Sequence, residues 1–259
     1  MKIYLAIGAL DKMRIDTFTQ CGVERVLVSF LSTGGGKQNI KIPFSDVMID
    51  SGAYGVETGT GGVNVKGYSL WLEIYLNSYP QIKTYVNLDI LGSPVESMKN
   101  QEYMESLGLK PMPVYHYGEP PEFLDKMCSK YKYVGLGGLA VGKMPSQNLK
   151  TFWEWVAERH PENDFHIFGA MSMNAISKYQ PYSIDSSSWA VGTKYRRLAG
   201  YRDGLPAWFS IPGDKDGWQI FLTSYELWAN NIRAMLDWEK LEWLKNVNKH
   251  QGVNQQRLF

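Results

Sequence analysis

Three aspartates each close a short apolar run: Met48-Ile49-Asp50, Val86-Asn87-Leu88-Asp89 and Tyr182-Ser183-Ile184-Asp185. A fourth run, Tyr133-Val134-Gly135-Leu136, opens into Gly137-Gly138-Leu139-Ala140. Carboxylates gathered on one rim, beside a glycine turn that bares backbone N–H groups, are parts for acid/base and nucleophilic chemistry. The chain therefore reads as an enzyme. Taken singly, each piece has a plainer reading. Asp50-Ser51-Gly52 could be only a turn, Asp185-Ser186 an Asx motif at a loop start, and Gly137-Gly138 a tight turn. Tyr54 and Phe168 could be core rings, and His116 a satisfied structural histidine.

For these aspartates to meet, the runs that carry them must be parallel strands whose ends share a mouth, where active sites of parallel barrels lie. The apolar pattern predicts eight strands, over residues 3–7, 25–30, 47–50, 84–89, 112–116, 133–136, 165–168 and 183–185. Helix-like segments separate them: a short one carrying Met13, Ile15 and Phe18, then 68–79, 94–107 with Pro94 in its first turn, Pro120-Pro121 to 130, 147–159 and 174–179. Strand–helix alternation with right-handed crossovers predicts an α/β fold, a (β/α)8 TIM-type barrel, with a doubly wound open sheet as runner-up.

Residues 32–37 form a loop with three consecutive glycines. It lacks the GK[ST] ending of a phosphate-binding loop and reads as a flexible rim loop. Residues 51–66 are glycine-rich and read as a candidate lid. Past the eighth strand the alternation stops. Residues 186–217 read as loop-rich and locally basic, with Lys194, Arg196, Arg197 and Arg202 close together. One amphipathic helix is expected over 219–249, followed by a tail. The whole chain, 1–259, reads as a single domain, with 186–259 as a helical extension.

A net charge of +1 gives no overall basic field for a polyanion, although a local patch suffices for nucleic acid. The two cysteines, Cys21 and Cys128, are far apart without metal-ligand or paired spacing, so no disulfide framework or zinc site is expected. No convincing signal peptide opens the chain, and no apolar run nears the roughly 18 residues of a membrane span. A soluble, cytoplasmic protein is the expectation.

Four motifs, in this order, resemble those of the tRNA-guanine transglycosylase family. Ile49-Asp50-Ser51-Gly52-Ala53-Tyr54 resembles its DSGG(Y/F) signature, and Val134 through Gly142 its GGLAVGE segment. His166-Ile167-Phe168-Gly169-Ala170 resembles the strand ending in MGVG. Ile184-Asp185-Ser186 sits where the family has its nucleophile. The likeness runs from about Val47 to Asp185. The family's C-terminal Cys-x-Cys-x-x-Cys…His zinc site has no match here, and the chain is shorter than the bacterial tRNA enzymes. In both respects it is similar to the compact phage and genomic-island relatives that place 7-deazaguanines in DNA.

The resemblance implies exchange of guanine in a polynucleotide, DNA in preference to tRNA, for a 7-deazaguanine such as preQ0 or preQ1, with no cofactor. It implies Asp185 as nucleophile and Asp50 as acid/base. Asp89 would accept hydrogen bonds from the N1–H and amine of guanine, a fit because that edge presents two donors. Gly137, Gly138 and Leu139 would offer amides to the base carbonyl. Tyr54 and Phe168 would stack on the base, as rings clamp flipped bases elsewhere. Ser51 belongs to the same base site, and His116 could contact the base edge. Lys194, Arg196 and Arg197 follow the nucleophile and could contact phosphates. Alternatives left open are a queuine-type tRNA enzyme, a non-catalytic nucleic-acid-binding partner subunit, and a small-molecule N-glycosidase.

Overall fold

The apolar runs form strands covered on both faces, as a parallel sheet flanked by helices requires. The computed structural model describes residues 1–8, 10–33, 43–52, 63–139, 146–169, 176, 179–190, 195–202, 205–211 and 225–240. The elements run β1 (Lys2–Ile7), α1 (Lys12–Gln20), β2 (Arg25–Ser29), β3 (Asp46–Asp50), α2 (Val65–Ser78), β4 (Ile82–Tyr85), α3 (Pro94–Ser106) and β5 (Val114–His116). There follow α4 (Pro121–Lys130), β6 (Tyr133–Gly137), α5 (Ser146–Arg159), β7 (Asp164–Ile167), β8 (Ser183–Ser186), β9 (Arg197–Arg202), β10 (Leu205–Ser210) and α6 (Tyr225–Lys240).

The first eight strands make one sheet in the order β4-β3-β2-β1-β8-β7-β6-β5, every pair parallel. The sheet curls. Just beyond β4, Val86 bridges in parallel to Met112, just before β5. The Met112 N–H donates to the Tyr85 carbonyl at 2.8 Å, and the Asn87 N–H to the Met112 carbonyl at 2.9 Å.

Alternation along each strand splits the apolar residues between two cores. In β1, Ile3, Leu5 and Ile7 join Val26, Val28, Val47, Ile49 and Trp153 in the layer between sheet and helices. Tyr4 instead joins Leu27, Met48, Val86, Met112 and Val114 on the concave side, with Ala6, Tyr133 and Phe168 packed against them.

Several boundaries differ from the sequence expectation, for local reasons. The fourth strand stops at Tyr85 instead of reaching Asp89, because the next residues are held by the backbone and side chains of α3. Asn87 Nδ2 donates to the Ser97 carbonyl, Asn100 Nδ2 to the Leu88 carbonyl, and the Ile90 N–H to Ser97 Oγ, each at 2.8 Å. The fifth begins at Val114 instead of Met112, because Pro111 and Pro113 flank Met112 and neither can donate to a ladder. Helix α2 begins three residues early, where Asn64 Oδ1 caps the Gly67 N–H at 2.7 Å.

The larger miss is β9–β10. This segment was expected to be loop, yet it is an antiparallel hairpin registered from Leu205↔Arg202 to Ser210↔Arg197. Its arginines, Gly200 and Pro206 weaken the strand pattern. Packing on α6 makes up for this: Asn231 Oδ1 accepts the Ala199 N–H at 2.8 Å, Trp238 Nε1 donates to the Gly200 carbonyl at 3.2 Å, and Trp208 meets Trp238 edge-on at 5.6 Å. Of the long helix expected over 219–249, Tyr225–Lys240 is described. Most of the helix expected over 174–179, most of the glycine loop at 32–37 including its three glycines, and most of the expected lid fall outside the described residues. Among the described residues no helix is long and apolar enough to cross a membrane.

Candidate active site

Asp50 ends β3 directly opposite Ser29 of β2. The chain turns back at once through Gly52, which has φ +81°. That left-handed turn aims the Gly52 N–H at Asp50 Oδ2, 3.0 Å away, and the Ser29 hydroxyl also bonds the carboxyl. A Cβ at position 52 would lie 2.7 Å from Leu31 Cγ and 2.9 Å from Ser29 Oγ. Gly52→Ala is therefore expected to lower unfolding free energy by about 1–3 kcal/mol in denaturant titrations. A wild-type midpoint would show that the turn tolerates a side chain.

Burial raises the Asp50 carboxyl, and the charges of Asp89 and Asp185 raise it further. The Gly52 and Ser29 hydrogen bonds pull it down, and the net result is about 7. Three carboxylates, two from strand ends and one from the loop after β4, thus share one electrostatic neighbourhood. Beneath it Tyr68 donates to the Val86 carbonyl at 2.9 Å; burial and the neighbouring Asp50 and Asp89 carboxylates hold its phenol well above the ordinary range.

Asp89 sits in the loop after β4 and is fixed from two sides. The buried Ser51 hydroxyl reaches its Oδ1 at 3.4 Å, and His116 Nε2 lies 2.8 Å from its Oδ2. The other ring nitrogen of His116 lies 3.1 Å from Glu119 Oε1, while the His116 backbone N–H donates to Glu119 Oε2 at 3.0 Å. Burial lowers the basicity of this imidazole, but the bonds and charges of Asp89 and Glu119 outweigh it and bring it to about 9. His116 is thus a cation clasped between two carboxylates, with both ring nitrogens committed to the protein and neither aimed at a ligand. Its proton is held more tightly than in the unfolded chain. It therefore contributes stability that is fully present below about 6.5 and is lost as pH rises through about 9. Removing one carboxylate with Glu119→Gln is expected to lower the His116 titration midpoint seen by nuclear magnetic resonance. An unchanged midpoint would contradict this clasp.

The glycine turn after β6 makes room for the same imidazole. A Cβ on Gly137 would lie 2.7 Å from His116 Cδ2, and Gly138 has φ +75° with the Tyr117 backbone nitrogen 3.3 Å from any Cβ. Leu139 is buried beside them. A cavity of about 370 Å³ opens here, bounded by Leu91, Gly92, His116, Tyr117, Glu119 and Gly138. A larger one, about 890 Å³, lies at the opposite end of the sheet against Lys2, Arg25, Pro181 and Glu239. The three aspartates do not line it.

Asp185 lies in β8 and is buried. Its Oδ1 accepts the Gly169 N–H at 2.8 Å, another left-handed glycine at φ +65°. Phe168 is half-buried in the concave cluster, edge-on to His166 at 4.4 Å, over Gly135, where a Cβ would come within 2.7 Å of its ring. Arg196 and Arg197 open the β9–β10 hairpin. Helix α6 shows which end they occupy: its C-terminal Glu239 binds the Ile3 N–H at the start of β1 (3.1 Å), whereas Asn231, two turns earlier, binds the Arg197 and Trp189 carbonyls at 3.3 and 3.2 Å. The two arginines are thus on the side toward which the strands point. Arg197 is exposed. Tyr54 and Lys194 lie outside the described residues.

Glu119 has no place in the sequence expectations, and His166 and Gly169 stand there only inside a motif, with no role of their own. Only Glu119 had a local signal, the His116-x-x-Glu119 spacing across a Gly-Glu-Pro turn. Among the described residues no group of three or more His, Cys, Asp or Glu is set to hold a metal ion. Chemically, the arrangement offers an acid of near-neutral pKa at Asp50, a braced carboxylate acceptor at Asp89, and a carboxylate at Asp185 with one oxygen tied down. No protein-family model and no curated protein sequence matches the chain.

Proposed function

We propose that the chain is a base-exchange transglycosylase on a closed (β/α)8 barrel, replacing guanine in a polynucleotide, DNA in preference to tRNA, with a 7-deazaguanine. The observation that carries it is the placement of Asp50 at the end of β3, Asp185 near the end of β8 and Asp89 in the loop after β4, close enough for Asp89 and Asp185 to raise the Asp50 carboxyl. Barrel closure is supported by the Val86–Met112 bridge and by a concave cluster drawn from strands all around the sheet.

Asp89, fixed by Ser51 and His116, accepts the N1–H and amine of guanine. Asp185 attacks C1′. As the C1′–N bond breaks, its electron pair leaves with guanine, which takes the Asp50 proton on a ring nitrogen. The Asp50 carboxylate then removes the proton from the incoming base, whose nitrogen displaces Asp185 from C1′. Two inversions give net retention. Phe168 bounds the base pocket, and Arg196 and Arg197 are suited to phosphates on the same side.

The test is incubation of the full chain with duplex DNA or tRNA and several 7-deazaguanine bases, including preQ0 and preQ1, followed by mass spectrometry of the released nucleosides. Deazaguanine nucleoside in the DNA fraction is expected. Its absence from both fractions overturns the proposal.

A further inference from the structure

His166 projects from β7 into the concave side of the sheet, fully buried, with Tyr4 edge-on at 6.0 Å and Phe168 at 4.4 Å. Register places it opposite Ser183 of β8. Its Nδ1 lies 2.7 Å from Ser183 Oγ, which lies 2.6 Å from the Tyr133 hydroxyl. Its Nε2 is buried without a hydrogen-bond partner among the described residues, yet Asp185 Oδ1 is only 3.4 Å away. A buried polar nitrogen left unpaired is costly, so this one calls for a reason.

The Tyr133 hydroxyl, whose hydrogen-bond partner among the described residues is Ser183 Oγ, can donate there. The Ser183 hydrogen is then free for His166 Nδ1. In this arrangement the ring proton sits on Nε2, facing Asp185.

We propose that His166, set by Ser183 and Tyr133, is a positioning residue for Asp185: its Nε2–H and the Gly169 N–H engage Oδ1 and leave Oδ2 as the oxygen that bonds to C1′. This role rests on the base-exchange reading above. It assigns the two halves of the reaction different needs. When Oδ2 attacks C1′, the carboxylate charge is consumed and donors on Oδ1 give no advantage. When the incoming base displaces Asp185, the C1′–Oδ2 electron pair returns to the carboxylate, and charge reappears where Nε2–H and Gly169 N–H wait for it. The 3.4 Å gap fits a bond that shortens as the charge returns, since catalytic hydrogen bonds are often long without substrate. His166 therefore speeds breakdown of the covalent intermediate more than its formation.

The experiment measures both half-reactions, with adduct followed on denaturing gels and release chased by 7-deazaguanine. In His166→Asn the shorter amide keeps a partner for Ser183 but cannot reach Asp185. Breakdown is expected to slow about tenfold or more, the rate equivalent of one hydrogen bond to a charge, so adduct accumulates. In His166→Gln the amide nitrogen regains the Nε2 position, and breakdown is expected to recover. Equal breakdown in wild type and His166→Asn overturns the role, as does a His166→Gln protein as slow as His166→Asn.

A second readout does not depend on turnover. The chain has four histidines, so imidazole nitrogen spectra are readily assigned. An Nε2–H tautomer at His166 is expected, and an Nδ1–H tautomer overturns the proposal. Wild-type protein that gives neither exchange nor adduct removes the reaction and this role together, whereas wild-type exchange with unchanged variants removes the role alone.

Discussion

Asp185→Ala is expected to lower base exchange by at least ~10⁴-fold, the scale on which removal of a covalent nucleophile acts, and to abolish the covalent intermediate. No other described carboxylate can stand in. Asp50 is held by Gly52 and Ser29, and Asp89 by His116 and Ser51. The substitution also strands the Gly169 N–H, so a modest loss of stability, about 1–3 kcal/mol, is expected in denaturant titrations. The two effects separate cleanly. A folded variant that still binds a guanine-containing oligonucleotide but shows no adduct band is the expected result. A variant that exchanges at the wild-type rate would remove Asp185 from the chemistry.

The placement of these residues was partly legible in the sequence. Asp50 and Asp185 end runs whose residues are buried on both faces, and in a parallel sheet such runs deliver their last residues to a common edge. Asp89 was legible as a carboxylate at that edge, though it sits in a loop that α3 side chains hold, not in a strand. His116 was legible as a residue near the site, but its partner Glu119 comes from the following turn, and no strand pattern points to it. His166 could not be read as a polar residue of the reactive end. It sits between Phe165 and Ile167 in a buried strand, and its link to Asp185 arises only from the β7–β8 register. The β9–β10 hairpin escaped for a related reason: its strands are stabilised by α6, residues distant in sequence, against a weak local pattern. What sequence conveys well is periodicity along one element. Contacts across elements are set by register and by side-chain reach.

Asp50 ties the proposal to pH. Its folded carboxyl titrates near 7 instead of its ordinary 3.8, because burial and two neighbouring carboxylates oppose its ionisation. Release of guanine uses the protonated form. In single-turnover assays the rate of guanine release should fall tenfold for each pH unit above about 7. Asp50→Asn cannot donate a proton, yet its amide oxygen can still accept the Gly52 N–H. It should retain the fold, lose about 10²–10⁴-fold in guanine release, and lose the limb near pH 7. Asp89→Asn provides an internal check of the cause. Removing that charge takes away one of the forces that raise Asp50, so the limb should move to lower pH while base affinity falls. A limb that stays near 7 in Asp50→Asn would assign it to another group, and one that does not move in Asp89→Asn would detach Asp50 from its neighbour. Both shifts together would show that the carboxylates titrate as a coupled set, with the proton kept on the residue that must give it away.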